Sequence, residues 1–110
     1  MLARPNRLTR GSDYKQVVRR GSRCAAAHTV THVLASPEGA DVRFGFIVSK
    51  QVGTAVVRNT VRRRLKAVCA DALPAVRPGT DVVIRALPSA ASATYLQLRD
   101  DVQRCLRRAA

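Results

Sequence analysis

The chain has 110 residues, with 20 Lys+Arg against 7 Asp+Glu and a net charge of +13 with His neutral. That length accommodates one compact domain, residues 1–110. A content of 46% hydrophobic residues excludes a disordered basic tail, and no apolar run approaches the roughly 20 residues of a membrane span.

Residues 1–10 are basic but lack the apolar core of a secretion signal. The expectation is a soluble cytoplasmic protein whose self-repelling charge is relieved by a polyanion: nucleic acid, an anionic membrane or an acidic protein. Lys15, Lys50 and Lys66 are the lysines, and all other cations are arginine. Arginine's planar fork matches phosphate bidentately and stacks on bases, which favours nucleic acid. A GC-rich genome also favours Arg over Lys, but it leaves the size of the net charge unexplained.

In chain order, residues 1–11 form a basic arm with Pro5 and no hydrophobic period, expected to be extended. Ser12 as N-cap and Asp13 in the first turn predict a helix over 13–20, with Tyr14, Val17 and Val18 as its apolar face and Gly21 as its stop. Residues 23–36 carry strand propensity at Val30, Thr31, Val33 and Leu34, with room for a break inside the run. Pro37-Glu38-Gly39 signals a turn. Val42, Phe44, Phe46 and Val48 then alternate onto one face. Two such runs about a short turn predict an antiparallel hairpin.

Thr54 is placed to cap a second helix, in which Val57, Val61, Leu65, Val68 and Ala72 form the apolar face and Pro74 the end. After Pro78-Gly79, residues 81–85 read as a buried strand ended by Pro88. Ser92 is the expected cap of a last helix whose apolar positions are Tyr95, Leu98, Val102, Cys105, Leu106 and Ala109. The order α-β-β-α-β-α implies an α+β fold, a two-layer α/β sandwich on one small mixed sheet. Cys24, Cys69 and Cys105 show no metal-ligand spacing and are expected to be reduced and partly buried.

The informative segment is 49–66, SKQVGTAVVRNTVRRRLK, which contains six cations and no acid. On a helical wheel Val57, Val61, Leu65 and Val68 point one way, Asn59, Arg62, Arg63 and Lys66 the other, and Arg58 and Arg64 flank the stripe. Arg62 and Lys66 at i,i+4 repel each other unless an anion lies between them. A merely solvated face would carry mixed signs, as around Arg99-Asp100-Asp101-Arg104. Membrane-binding and calmodulin-binding helices carry bulkier apolar anchors than this valine-rich face. Nucleic acid ranks first.

The same residues carry a family resemblance. The run Phe44-Gly45-Phe46-Ile47-Val48-Ser49-Lys50, then Val52-Gly53-Thr54-Ala55-Val56-Val57-Arg58-Asn59, then Arg62-Arg63, resembles the bacterial ribonuclease P protein subunit, whose hallmark is S-K-K-x-G-N-A-V-x-R-N-R-x-K-R. An early Arg-Leu and the Asp13-Tyr14 helix resemble that family's opening, and the likeness extends over nearly the whole chain. Gln51, Thr54 and Thr60 stand where Lys, Asn and Arg are usual, and Arg62 stands where Lys is usual. Val18 and His32 occupy places that often carry aromatics.

The resemblance implies a fold like domain 2 of ribosomal protein S5, with a left-handed βαβ crossover. It implies a protein cofactor of a catalytic RNA that removes the 5′ leader of precursor tRNA, with Mg2+ held mainly by the RNA, no organic cofactor, no metal ligated by the protein and one protein copy per RNA. Carried over residue by residue, Tyr14, Val18, His32 and Lys50 line a cleft for the leader, and Arg58, Asn59, Arg62, Arg63 and Lys66 contact the catalytic RNA. Core packing is the competing reading of Tyr14 and the expected one for Phe44, Phe46 and Tyr95.

No paired carboxylates, Walker loop, GxSxG or Cys/His pair at useful spacing suggests a protein active site. The alternatives are a non-catalytic ribosomal or other structured-RNA-binding protein, and a DNA-reading helix, which would normally follow a partner helix rather than a strand.

Overall fold

A computed structural model describes residues 2–35 and 41–109. Its element order is α1 (Gly11–Arg20), β1 (Ser22–Ala25), β2 (Thr29–Ala35), β3 (Arg43–Ile47), α2 (Ala55–Ala72), β4 (Thr80–Ala86) and α3 (Tyr95–Ala109). The strands form one mixed sheet in the order β1-β2-β4-β3. The α+β class and the mixed sheet match expectation, and the extra strand comes from the break inside 23–36. The 37–39 turn lies outside the described residues.

The expected hairpin between the second and third runs does not form. β2 pairs antiparallel with β1 on one side and with β4 on the other, and β3 pairs parallel with β4. The cause is the crossover: α2 carries the chain from β3 back over the sheet, so β4 enters between β2 and β3. β4 is suited to that place. Its run Val82-Val83-Ile84 is apolar and β-branched, and all three side chains are fully buried.

Register divides the sheet into two faces. Val82, Ile84 and Ala86 of β4, with Phe44 of β3, join Val61, Leu65 and Val68 of α2 and Leu98 and Val102 of α3 in the main core. Val83 points the other way and packs with Leu8 and with Val17 of α1. So α2 and α3 form the layer on one face, and α1 covers part of the other. Phe44 is fully buried and Phe46 packs against the same core, as expected from their alternation.

The arm is not a free extension. Arg4–Asn6 forms a 3-10 turn, Arg7 bridges Phe44 in parallel, the Leu8 N–H donates to the Phe44 carbonyl at 2.8 Å, and the Asn6 amide donates to the Val42 carbonyl at 2.8 Å. The arm thus satisfies the outer edge of β3, which would otherwise stand open to pairing with another chain. Leu2 is buried in the main core and Leu8 in the smaller one, so the strap is anchored on both faces.

Tyr14 closes this corner. Its hydroxyl donates to the Leu8 carbonyl and accepts the Phe46 N–H, both at 3.3 Å. Its ring lies directly on Gly45. On the same face Arg43 donates twice to Asp81, at 2.9 and 2.8 Å, and reaches Asp13 of α1 at 3.5 Å. The paired Asp81 carboxylate raises the Arg43 pKa above its ordinary value despite partial burial.

Several ends differ from the sequence reading. α1 begins at Gly11, so Ser12 lies inside it and is not its cap. Thr54 does cap α2, its hydroxyl accepting the Val57 N–H at 3.4 Å. Ser92 belongs to the 3-10 turn Pro88–Ser92, and α3 is capped by Thr94. The Thr94 hydroxyl accepts the Gln97 N–H at 3.1 Å and the Gln97 side-chain Oε1 accepts the Thr94 N–H at 2.9 Å, a reciprocal capping box. Asp101, expected on a solvated face, is buried. It accepts the His28 N–H at 2.9 Å and pairs with Arg104 at 3.3 Å, fixing the β1–β2 loop to α3.

Cys24 and Cys105, expected as separate thiols, are joined in a disulfide with their Cα atoms 5.6 Å apart. Cys69 is free and fully buried, and that burial pushes its thiol pKa up.

A Cβ at position 45 would stand 2.6 Å from two ring atoms of Tyr14. Gly45→Ala is therefore expected to lower unfolding stability by about 1–3 kcal/mol, the usual cost of overpacking. Urea unfolding checks it, and an unchanged midpoint would show that the ring is not held against the strand.

Candidate nucleic-acid interface

The outer face of α2 follows from the helix period. Val61, Leu65, Val68, Cys69 and Ala72 turn inward and are buried, which sends the intervening cations outward. Asn59, Arg62, Arg63 and Lys66 line one open concavity of about 460 Å³. Arg62 donates to the Asn59 side-chain oxygen at 3.3 Å. Thr60 bonds back to the Val56 carbonyl at 3.1 Å and accepts from Arg63 at 3.5 Å. The Thr60 hydroxyl thus ties Arg63 to the preceding turn of the helix.

Arg58 does not join this group. It is half-buried at the edge of the apolar stripe, and its Nε lies buried without a hydrogen-bond partner among the described residues. Arg64 is committed to the fold, donating to the Ala93 carbonyl at 2.9 Å. Val56, which sequence reasoning left unassigned, sits on the rim of the concavity with 76% of its surface exposed. Its signal was an apolar residue one position off the buried stripe.

The residues expected to line the leader cleft lie on or beside the opposite face of the sheet. His32 pairs across to Arg23 on β1 and to Val83 on β4, and Val83 is level with Gly45, on which the Tyr14 ring rests. At about 4.8 Å per strand, His32 and Gly45 are roughly 10 Å apart on one surface. Val18 belongs to α1, one turn after Tyr14, and is 39% exposed, unlike its buried neighbour Val17. Lys50 is exposed in the turn after β3. The structure thus sets His32 and Tyr14 on one face, with Val18 beside them, and leaves Lys50 at the end of β3. Tyr14 is packed and bonded at its hydroxyl, so the core reading accounts for its contacts.

His32 is only 6% exposed, and its Nδ1 has no partner among the described residues. Burial, then the guanidiniums of Arg23 and Arg85, push its pKa below the ordinary 6.5. These two arginines were missed by sequence reasoning because strand register alone brings them beside His32. A second missed surface is the outer side of α1, where Ser12, Lys15, Gln16, Arg19 and Arg20 line an open concavity of about 620 Å³. The i,i+4 spacing of Lys15 and Arg19 carries the same like-charge signal as Arg62 and Lys66.

Four carboxylates are engaged elsewhere: Asp13 and Asp81 grip Arg43, Asp71 accepts from the Tyr95 hydroxyl at 3.1 Å, and Asp101 holds the β1–β2 loop. Among the described residues no three His, Cys, Asp or Glu side chains cluster as metal ligands. No described helix is long and apolar enough to cross a membrane.

Two outcomes follow. Arg63→Ala should reduce the slope of log K against log[salt] for a structured RNA by about 0.7–0.9, the share of one phosphate contact. Arg64→Ala should leave the slope unchanged and lower thermal stability instead. An unchanged slope for Arg63→Ala removes that residue from the interface. Second, the unfolded chain protonates His32 near pH 6.5 and the folded chain only below it. The stability contributed by neutral His32 is therefore intact above pH 6.5 and declines as pH falls below it. A proton NMR titration should place the free-protein value below 6.5 and move it upward when RNA binds, whereas an unmoved value would separate His32 from the bound phosphates.

Comparison with known proteins fits this geometry. The family model for ribonuclease P matches residues 2–110. The ribonuclease P protein component of Clavibacter michiganensis subsp. michiganensis is 50% identical over 109 residues, covering 99% of this chain and 96% of that one. That of Rhodococcus jostii is 43% identical, covering 94% and 87%. Among solved structures, the ribonuclease P protein of Staphylococcus aureus superimposes with a TM-score of 0.84 at 24% identity, covering 94% of each chain. That of Thermotoga maritima superimposes with a TM-score of 0.80 at 18% identity, covering 93% and 96%. The fold, the full-length match and the cationic helix converge: the chain belongs to the ribonuclease P protein family.

Proposed function

We propose that this chain is the protein cofactor of a ribonuclease P holoenzyme, acting in the maturation of tRNA 5′ ends. The observation that carries the reading is the outer face of α2, where Asn59, Arg62, Arg63 and Lys66 share one open concavity with no carboxylate among its lining residues. Such a surface binds phosphates and loop edges without strict sequence reading. Its partner is the catalytic RNA, one protein copy per RNA, in the cytoplasm. The opposite face, with His32 between Arg23 and Arg85 and with Tyr14 and Val18 beside it, takes the single-stranded leader of precursor tRNA. Arginine side chains there offer both phosphate pairing and stacking.

Phosphodiester hydrolysis belongs to the RNA subunit, with Mg2+ held mainly by RNA oxygens. This chain's own residues bind and orient. Cations on both faces screen the repulsion between substrate and catalytic RNA, so less divalent ion is needed to bring them together.

Reconstitution with a bacterial ribonuclease P RNA tests the reading. At low magnesium the chain should accelerate leader removal well above the RNA alone, and raising magnesium should narrow the difference. Cleavage no faster than with RNA alone, together with co-sedimentation on ribosomal subunits, would favour the alternative of a ribosomal or other structured-RNA-binding protein.

A further inference from the structure

We infer that the Cys24–Cys105 pair is a thiol–disulfide exchange site for an anionic small thiol. The pair joins β1, an edge strand, to α3 across 81 residues of sequence. The two residues differ in exposure. Cys105 is fully buried, whereas Cys24 is half-exposed. A cavity of about 150 Å³ opens beside them, lined by both cysteines, Thr31, Val33 and two cations, Arg23 and Arg108. Arg108 lies three residues after Cys105 on α3, on the same side of the helix. The site therefore has a bond to exchange, room for a small reagent and a cation that draws a thiolate in and stabilises the thiolate that leaves.

The chemistry balances as follows. An incoming thiolate RS⁻ attacks Cys24 Sγ. The S–S bond breaks, its electron pair leaves on Cys105 Sγ, and that thiolate takes a proton from water. A second RS⁻ attacks the small-molecule sulfur of the mixed disulfide, giving RSSR and the Cys24 thiol after protonation. Two RSH are oxidised and one protein disulfide is reduced to two thiols. RSSR drives the reverse reaction.

Location gives the exchange a consequence. Asp101, one turn before Cys105, already holds the β1–β2 loop through the His28 N–H. The disulfide is the second fastener between the same two elements, and the strand it holds carries Arg23 opposite His32. Oxidation pins the edge of the proposed leader face to α3, and reduction removes that covalent link, leaving β1 its pairing with β2 and the loop its Asp101 contact. The covalent chemistry does not depend on the functional reading; only this last consequence rests on it.

The full chain, equilibrated with either oxidised or reduced glutathione and then denatured and alkylated, tests the proposal. Of its three cysteines, one should alkylate after the oxidised treatment and three after the reduced. Three in both cases would overturn the site. Rates of reduction test the role of Arg108. Arg108→Ala should slow reduction by glutathione about fivefold more than reduction by mercaptoethanol, because both attack as thiolates and the glutathione thiolate carries one further net negative charge, the effect of one unit charge at ~4 Å in water. Equal effects on both reagents would overturn the anionic specificity. The thermal midpoint of the wild-type chain should rise on oxidation by on the order of 10 °C, and an unchanged midpoint would show that the bond does not hold β1 to α3. None of these readouts uses RNA, so failure here and failure of the cofactor reading are separate results.

Discussion

The structure hangs on β4. It is the last strand in sequence and an inner strand in space, and its Val82-Val83-Ile84 run is buried on both sides. Because successive side chains alternate, Val82 and Ile84 serve the α2/α3 core while Val83 serves the α1 core. One strand therefore gives this small chain two separately covered faces. Each helix layer turns its polar side outward, so cations are presented on opposite sides of the sheet, at Arg62, Arg63 and Lys66 of α2 and at Lys15, Arg19 and Arg20 of α1.

That arrangement has an electrostatic cost. Arg62 and Lys66, and Lys15 and Arg19, are like charges one helical turn apart, each pair opposed by a few tenths of a kcal/mol. Several of the acids that could offset them are used internally. Asp13 and Asp81 brace Arg43 between α1 and the sheet, and Asp101 braces the β1–β2 loop against α3. These three carboxylates stabilise the scaffold and leave the outward cations of α1 and α2 without an acid among the residues beside them. Arg64 marks the boundary, since it is a cation in the same run but is spent on the Ala93 carbonyl.

How much of this was legible depends on how local the determinant is. α2 was readable because its period, its Thr54 cap and its acid-free stretch up to Lys66 all lie within residues 54–72. From that period Asn59, Arg62, Arg63 and Lys66 were grouped correctly. Arg58, placed by the same period on the flank of the stripe, is half-buried there, and its assignment to the RNA came from the resemblance alone. The β2–β3 hairpin failed because sequence adjacency suggests pairing, whereas the return path of α2 decides which strand lies between. Leu2 and Leu8 are isolated apolar residues in a basic arm, and only the open edge of β3 gives them a function. Asp101 and the Cys24–Cys105 bond join segments more than 70 residues apart. No window of sequence contains both partners. Family resemblance supplied the roles of Tyr14, Val18, His32 and Lys50, and strand register supplied what the resemblance omitted, namely Arg23 and Arg85 beside His32.

The central claim is that the two faces of the β4 sheet serve two different RNA partners. It is tested most directly by binding two RNAs, the ribonuclease P catalytic RNA and a single-stranded leader oligonucleotide, to two variants, Arg62→Ala/Arg63→Ala/Lys66→Ala and Arg23→Ala/Arg85→Ala. The account predicts a double dissociation. The α2 variant loses affinity for the catalytic RNA, with a salt slope shallower by about 2–3, and keeps leader binding. The β1/β4 variant does the reverse. Equal losses on both RNAs from both variants would contradict the separation and reduce the charge to one undivided attraction.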